Sequence, residues 1–371
     1  MVDPDQGSGS GPGPVATELP GMALDAAGIG SVVETLLRGF LDEQDRLAVE
    51  LPELAVFTGL LRDLLAAGGK RIRPQLCVLG WQAVTGEPPT SIVWRVAASL
   101  ELFHAFALIH DDIMDHSALR RGRPTAHRVF AARYQQRCDA DSLGEHAAIL
   151  LGDIALGWSY ELLQDRDGDQ GRFAAVRSTL NALRTETLIG QFLDLSATGR
   201  DTADLDVAWR IIRLKTTKYT IERPLQLGAM LAGAGSAQLK TLTDYAIPLG
   251  DAFQLRDDLL GVFGDSGDTG KSTLDDLREG KHTVLIATTY ELATPVQRRL
   301  LRRYLGNPRL TERGACHIRR VVTETGARDA VEQMIDTRVA QALAALGTGT
   351  LEPDAELALR QLVHAAATRS T

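Results

Sequence analysis

Aromatic side chains are scarce, 5% of the 371 residues, and cysteines are scarcer still. Cys77, Cys138 and Cys316 are widely separated and odd in number, which suits neither a zinc knuckle nor a secreted disulfide framework. They read as small buried hydrophobes in a reducing cytosol. Basic residues are outnumbered, 40 Lys and Arg against 48 Asp and Glu, for a formal net charge of −8. The chain therefore lacks the positive footprint of a general nucleic-acid binder, and any small anionic substrate must be held by locally concentrated Lys and Arg. No apolar run approaches the length needed to cross a bilayer, and the N-terminus lacks the basic-then-apolar layout of a signal peptide. The expected location is the cytoplasm, with no transmembrane segment.

Residues 1–25 contain Gly7, Gly9, Gly11 and Gly13 with Pro4, Pro12 and Pro14, a composition that cannot bury enough surface to offset its ordering entropy and so predicts a disordered tail. From residue 26 to 371 the chain reads as one domain dominated by Ala, Leu, Arg and Glu, with apolar spacings of three and four. That pattern predicts an all-α fold, a single large antiparallel bundle. Helices are expected over roughly 30–66, 70–85, 92–114, 125–136, 146–164, 172–197, 205–219, 221–233, 236–264, 283–292, 296–305, 311–343 and 354–368. The 92–114 helix is mostly apolar but carries Glu101, His104 and His110, as a central bundle helix with a polar stripe would.

The strongest chemical signal is Asp111-Asp112-Ile113-Met114-Asp115. Asp111 and Asp115 lie one turn apart and project from the same helix face. Magnesium takes one or two protein carboxylates and completes its octahedron with water and phosphate oxygens, which such a pair suits. A second pair, Asp257-Asp258, sits in the apolar stretch from Ala252 to Phe263. Like charges on two facing helices repel unless a cation bridges them, so the two pairs together predict a metal cluster. One turn after Asp257 the residue is Gly261 rather than a third carboxylate, with Asp265 one turn further on.

Basic residues gather beside these acids. Lys70, Arg71 and Arg73 follow Gly68-Gly69, where the backbone can approach a phosphate closely, and Arg120, Arg121 and Arg123 follow the first acidic motif. Lys215 and Lys218 come later, then Lys271 and Lys281 after the second acidic pair. Magnesium with Lys and Arg would stabilise a diphosphate leaving group as it departs. The Arg298, Arg299, Arg302 and Arg303 group, with no acidic motif beside it, reads as a solvated face.

In this order the residues resemble the trans-prenyl diphosphate synthase family, which includes farnesyl and geranylgeranyl diphosphate synthases. The likeness covers residues 35–345: the Gly-Gly-Lys-Arg-Ile-Arg-Pro block from Gly68, Leu108-Ile109-His110 before the first acidic motif, the tail through Thr125, Gly152-Asp153, Lys215-Thr216, Phe253-Gln254, and Asp276 to Lys281. The resemblance implies an isoprenoid synthase-like bundle around a deep central cavity, with isopentenyl diphosphate and the dimethylallyl, geranyl or farnesyl allylic diphosphates as partners. It implies that Asp111, Asp115 and Asp257 bind magnesium with Asp112 and Asp258 close by. Lys70, Arg73, His104 and Arg121 would hold isopentenyl diphosphate; Arg120, Lys215, Lys271 and Lys281 would face the allylic diphosphate. Thr216 and Gln254 would line the reacting carbons, and Gly152-Asp153 is a packing feature. Gly261 departs from the pattern where many members carry a third Asp. The likeness also implies a homodimer.

Two rival readings are weaker. A class I terpene cyclase would carry an Asn/Asp, Ser/Thr, Glu triad at spacings of four on a later helix, which the sequence lacks, and would have no use for the Gly-Gly-Lys-Arg-Ile-Arg block. A non-catalytic regulatory subunit would have lost acidic or basic site residues, and only Gly261 speaks for it. For product length, the tail should run along the helix preceding Asp111, where one to two turns cover roughly 6–12 Å. Ala107, four before Asp111, leaves space on that face, while Phe106 and Phe103 can form a floor. The expected product is C20, geranylgeranyl diphosphate, with farnesyl or longer products as the alternative.

Overall fold

The computed structural model describes residues 26–47, 49–164, 170–199, 202–264 and 274–367. The expected tail of residues 1–25, Asp265 and Lys271 lie outside them.

The Ala- and Leu-rich stretches fold as helices that bury their apolar sides against one another. In chain order these are α1 (Ala26–Leu47), α2 (Leu54–Ala66), α3 (Ile72–Thr85), α4 (Ser91–Met114), α5 (Ala126–Arg133), α6 (Ala140–Glu161), α7 (Gln170–Ala197) and α8 (Leu205–Ile211). A π-helical stretch, Ile212–Glu222, leads without a break into α9 (Arg223–Leu231), followed by α10 (Ser236–Phe263). The chain continues through α11 (Asp275–Glu279), α12 (Val284–Leu292), α13 (Pro295–Tyr304), α14 (Glu312–Glu324), α15 (Ala327–Ala345) and α16 (Pro353–Ala367).

Helix α4 is the centre of the largest apolar cluster, packed among α1, α2, α3, α6, α7 and α9. Helix α10 divides its length between two others: Leu242 to Leu249 pack with α3, α9, α15 and α16, and Ala252 to Val262 pack with α12, α14 and α15. Helices α3 and α9 cross backbone to backbone. A Cβ on Gly80 would stand 2.9 Å from the Leu225 carbonyl carbon and one on Gly228 would stand 2.8 Å from that of Cys77, so only glycine fits.

Several sequence expectations need correcting. The 30–66 helix is two helices, because Pro52 lacks an N–H and disfavours helical geometry at Leu51. The 311–343 helix is also two, ended at Thr325 and restarted through Gly326 in the left-handed region at φ 77°. Helix α4, at 24 residues, is long and apolar enough to cross a membrane by composition. Yet 78% of its apolar window is buried inside the protein, as in the core helix of a bundle. Of the cysteines only Cys77 is buried, while Cys138 and Cys316 are exposed. A short antiparallel hairpin, unanticipated, pairs Leu119 with Pro124 and Arg120 with Arg123. Its turn puts Arg121 at φ 51° and Gly122 at φ 74°, the left-handed pair a two-residue hairpin demands.

Candidate active site

The C-terminal turn of α4, the π stretch, the second half of α10 and the segment from Asp276 to Thr283 border one cavity of about 840 Å³. Such a volume suits a small-molecule ligand. It brings together residues drawn from across the sequence: Lys70, Arg73, His104, Phe106, Ala107, Asp111, Arg120, Arg121, Lys215, Thr216, Gln254, Asp257, Asp258 and Lys281 all line it. Asp112, Asp115 and Phe103 stand behind that lining.

A helix C-terminus disfavours negative charge, so carboxylates at the end of α4 require cations. They have them. Lys215 Nζ lies 3.2 Å from Asp111 Oδ1 and 2.5 Å from Asp194 Oδ2. Gln191 Nε2 donates to the same Asp111 oxygen at 3.1 Å. Arg120 grips both oxygens of Asp112, at 2.7 to 3.0 Å, and reaches Asp111 at 3.5 Å. Asp112 therefore turns away from the cavity into a two-pronged ion pair that aims the guanidinium. Lys281 Nζ lies 3.0 Å from Asp115 Oδ2 and 3.1 Å from Glu279.

These pairings set protonation. Burial raises the Asp115 carboxyl above its usual range, and the neighbouring Asp111 charge adds to it. Burial would lower the Lys281 ammonium, but Asp276, Asp115, Asp111 and Glu279 hold it well above its ordinary value. Lys215 follows the same logic: burial opposes its charge, and Asp111 and Asp194 more than restore it.

From the π stretch, Thr216 Oγ1 donates to Gln254 Oε1 on α10 at 2.7 Å, and Gln254 Nε2 donates to Asp258 Oδ1 at 2.9 Å. Burial, with the Asp276, Asp257 and Asp194 charges, pushes the Asp258 carboxyl up to about 8 against the Gln254 hydrogen bond. No three His, Cys, Asp or Glu side chains among the described residues stand close enough to chelate a bare ion. Magnesium fits such a site, because it keeps several waters and takes one or two carboxylates along with substrate phosphate. The donor set is all hard oxygen, and Asp258 Oδ2 is buried with no hydrogen-bond partner in the structure.

A second group of polar residues gathers where α3 and the π stretch meet α4. Arg73 donates to Thr220 Oγ1 at 2.7 Å, and its guanidinium lies 4.1 Å over the Tyr219 ring. His104 Nδ1 and the Tyr219 hydroxyl share a 2.9 Å hydrogen bond. Burial, then the charges of Arg73, Arg120, Arg121 and Arg71, hold the His104 imidazole well below its ordinary pKa, so it is neutral. Arg121 donates to the Gly68 carbonyl, and Lys70 is exposed at the cavity edge. Arg71 also borders the cavity, but its charge is already engaged: it starts α3 in the left-handed region and pairs with buried Glu101. Lys218 is likewise diverted to Glu186 at 2.6 Å, a carboxylate it shares with Arg223.

The π stretch brings Lys215, Thr216, Tyr219 and Thr220 to one cavity wall. Such departures from the α period concentrate at functional sites. Gln191, Asp194 and Tyr219 went unnoticed in the sequence because none belongs to a motif, and Asp276, which opens the Asp276 to Lys281 block, was given no role of its own. For Tyr219 a signal existed, its place one turn after Lys215. Gly152 packs against the His110 ring, as its packing reading anticipated.

The polyprenyl synthetase family model matches residues 55–319. A geranylfarnesyl diphosphate synthase of Aeropyrum pernix is 35% identical over 280 residues, covering 74% of this chain and 82% of its own. A geranylgeranyl diphosphate synthase of Saccharolobus solfataricus is 33% identical over 246 residues, covering 66% and 69%. Among solved structures, geranylgeranyl pyrophosphate synthase from Corynebacterium glutamicum, complexed with isoprenyl diphosphate and magnesium, superposes with a TM-score of 0.88 at 36% identity, over 93% of this chain and 100% of that one.

Proposed function

This chain belongs to the polyprenyl synthetase family and is a prenyltransferase of the short-chain type, and from that premise we propose that it extends allylic diphosphates with isopentenyl diphosphate to a C20 product, geranylgeranyl diphosphate, using magnesium. The observation that carries this reading is the meeting of Asp111 with Asp257 and Asp258 beside Lys215, Lys281 and Arg120 at one cavity, with Asp115 behind the lining in contact with Lys281.

Asp111, Asp115 and Asp257 would hold the metal, with Asp258 adjoining. Bound there, magnesium supplies charge neutralisation to a departing diphosphate. Arg120, Lys215 and Lys281, with Lys271 from the following segment, bind the allylic diphosphate and stabilise it as its C–O bond breaks. Lys70, Arg73, neutral His104 and Arg121 hold isopentenyl diphosphate. Its double bond attacks the allylic cation, forming the new C–C bond, and the released diphosphate takes the proton lost from the adduct. Thr216 and Gln254 border the reacting carbons, and the apolar α4 wall excludes water that would quench the cation. Asp112 acts through Arg120, which it orients.

The enzyme is further proposed to be cytoplasmic and to work as a homodimer. Support for the second copy comes from α7, where Leu188, Ile189, Phe192 and Leu195 are 42–64% exposed at spacings that share one helix face.

The test is a magnesium-dependent assay of the purified chain with isopentenyl and dimethylallyl diphosphates. A C20 prenyl diphosphate is expected, and Asp111→Ala or Asp257→Ala should lower turnover on the order of 10²–10³-fold, the scale of one lost electrostatic stabiliser. A cyclic hydrocarbon product, no product, or near-normal turnover in either variant at saturating magnesium would each defeat the reading.

A further inference from the structure

Thr217 is fully buried and interrupts the cavity-facing run of the π stretch, with Lys215 and Thr216 before it and Tyr219 and Thr220 after it. Its hydroxyl donates to Oδ1 of Asp251 on α10 at 2.9 Å. Asp251 is 0% exposed. Two guanidiniums meet at its other oxygen: Arg213, near the start of the π stretch, at 2.8 Å, and Arg338, from α15, at 3.3 Å. Arg338 in turn lies over the Trp209 ring of α8, 5.3 Å from its centroid. None of Arg213, Thr217, Asp251 and Arg338 lines the cavity, and the chemistry proposed above uses none of them.

A fully buried carboxylate is a poor source of stability, because its desolvation offsets most of what pairing returns; the best-attested use of such groups is to fix register. Register is what this segment has at stake. A π-helical run is closed by i→i+5 hydrogen bonds, and the α spacing competes with it. Absorbing one residue to return to the α period would turn the side chains on one side of the change by about 100° relative to those on the other. Asp251 holds the stretch at two points, Arg213 before Lys215 and Thr217 after it, so Lys215 and Thr216 lie between fixed flanks. The backbones cannot slide there either: a Cβ on Gly250 would stand 2.7 Å from the Thr217 Cα.

We infer that Asp251 is a positioning residue: seated between Arg213 and Arg338 and bonded to Thr217, it fixes the π register and so directs Lys215 and Thr216 into the cavity. That Lys215 meets the allylic diphosphate there rests on the function proposed above; that Asp251 directs it does not.

Two measurements on the full chain test this. Reductive methylation of the native protein, followed by mass spectrometry, reads the accessibility of the Lys215 ammonium, which in the parent is held between Asp111 and Asp194. Asp251→Asn, which keeps the shape of the side chain and removes its charge, should raise the Lys215 labelling rate several-fold, while Lys240, exposed on the same helix as Asp251, labels as before. Thr217→Val, which removes only the hydroxyl, should act in the same direction, and Thr217→Ser should restore the parent rate. Steady-state kinetics should show kcat/KM for the allylic substrate lowered on the order of 10²-fold in Asp251→Asn, the scale of a displacement of ~1 Å at a site, with the Michaelis constant for isopentenyl diphosphate near that of the parent. Should Asp251→Asn lose helical content by circular dichroism, the two Thr217 variants decide alone. Parent labelling of Lys215 in the folded variants would overturn the proposal whatever their kinetics. Faster labelling with parent allylic kinetics would uphold the positioning and defeat the allylic assignment of Lys215.

Discussion

Arg73 and Lys215 answer to different neighbours, and their loss should be felt by different substrates. Arg73 lies over Tyr219 and bonds Thr220, whereas Lys215 sits half-buried between Asp111 and Asp194. A charge-assisted contact contributes roughly 1.5–3 kcal/mol. Arg73→Ala should therefore raise the Michaelis constant for isopentenyl diphosphate about 10- to 150-fold, and Lys215→Ala should act chiefly on the allylic substrate. Steady-state kinetics with each substrate varied in turn decides it; equal effects of both variants on both substrates would refute the division. His104 gives a test of stability. Its imidazole is held below the ordinary 6.5, so the folded state resists a proton that the unfolded chain takes up. The neutral ring's contribution is fully present above pH 6.5 and is lost as pH falls from there toward the folded pKa. The slope reaches at most about 1.4 kcal/mol per pH unit for one proton. Urea denaturation between pH 5 and 7.5 should show a shallower acid-side slope for His104→Gln than for the parent, and identical slopes would mean that His104 does not titrate this way.

At the scale of the element, the proposed function would give α4 two roles, a metal-facing end and a wall for the growing chain. Phe106 and Ala107 line the cavity, while Phe103 stands behind with its ring 5.4 Å from that of Phe106 and edge-on to Tyr219. On the proposed reading the floor would be Phe106, backed by Phe103. Phe106→Ala should lengthen the product distribution, Ala107→Phe should shorten it toward C15, and Phe103→Ala should act more weakly. Chromatography of the dephosphorylated products reads this out. Because a buried Phe→Ala change costs about 3–5 kcal/mol, a thermal melt of each variant belongs beside it. Unaltered products in Phe106→Ala and Ala107→Phe would put the floor on a different helix.

For the molecule as a whole, the exposed face of α7 is a feature, among the described residues, that one chain alone does not explain. Closed two-fold pairing would bury it. Phe192, at 64% exposed, is the largest side chain on that face, and a charge there would have to be desolvated in an interface. Phe192→Asp should convert dimer to monomer by light scattering while leaving helical content intact. A parent chain that elutes as a monomer at micromolar concentration would remove the homodimer.

The sequence by itself determined the all-α architecture, the family, and the residues of both acidic motifs and both basic blocks, because helix periodicity and motif spacing are local properties. It also located most breaks, where Gly or Pro disrupts the period; it missed Pro52 and Gly326, each of which lies inside an apolar pattern that continues in phase. Which charge meets which was decided only by packing. Arg71 and Arg120 sit in equally basic runs, yet one neutralises Glu101 and the other grips Asp112. The π stretch depends on close contacts with α7 and α10 at Gly190 and Gly250, and no local pattern encodes a change of period imposed by neighbours. Asp276 meets Gly261 for the same reason: the contact joins two helices whose relative placement follows from the whole apolar core, not from the residues that touch.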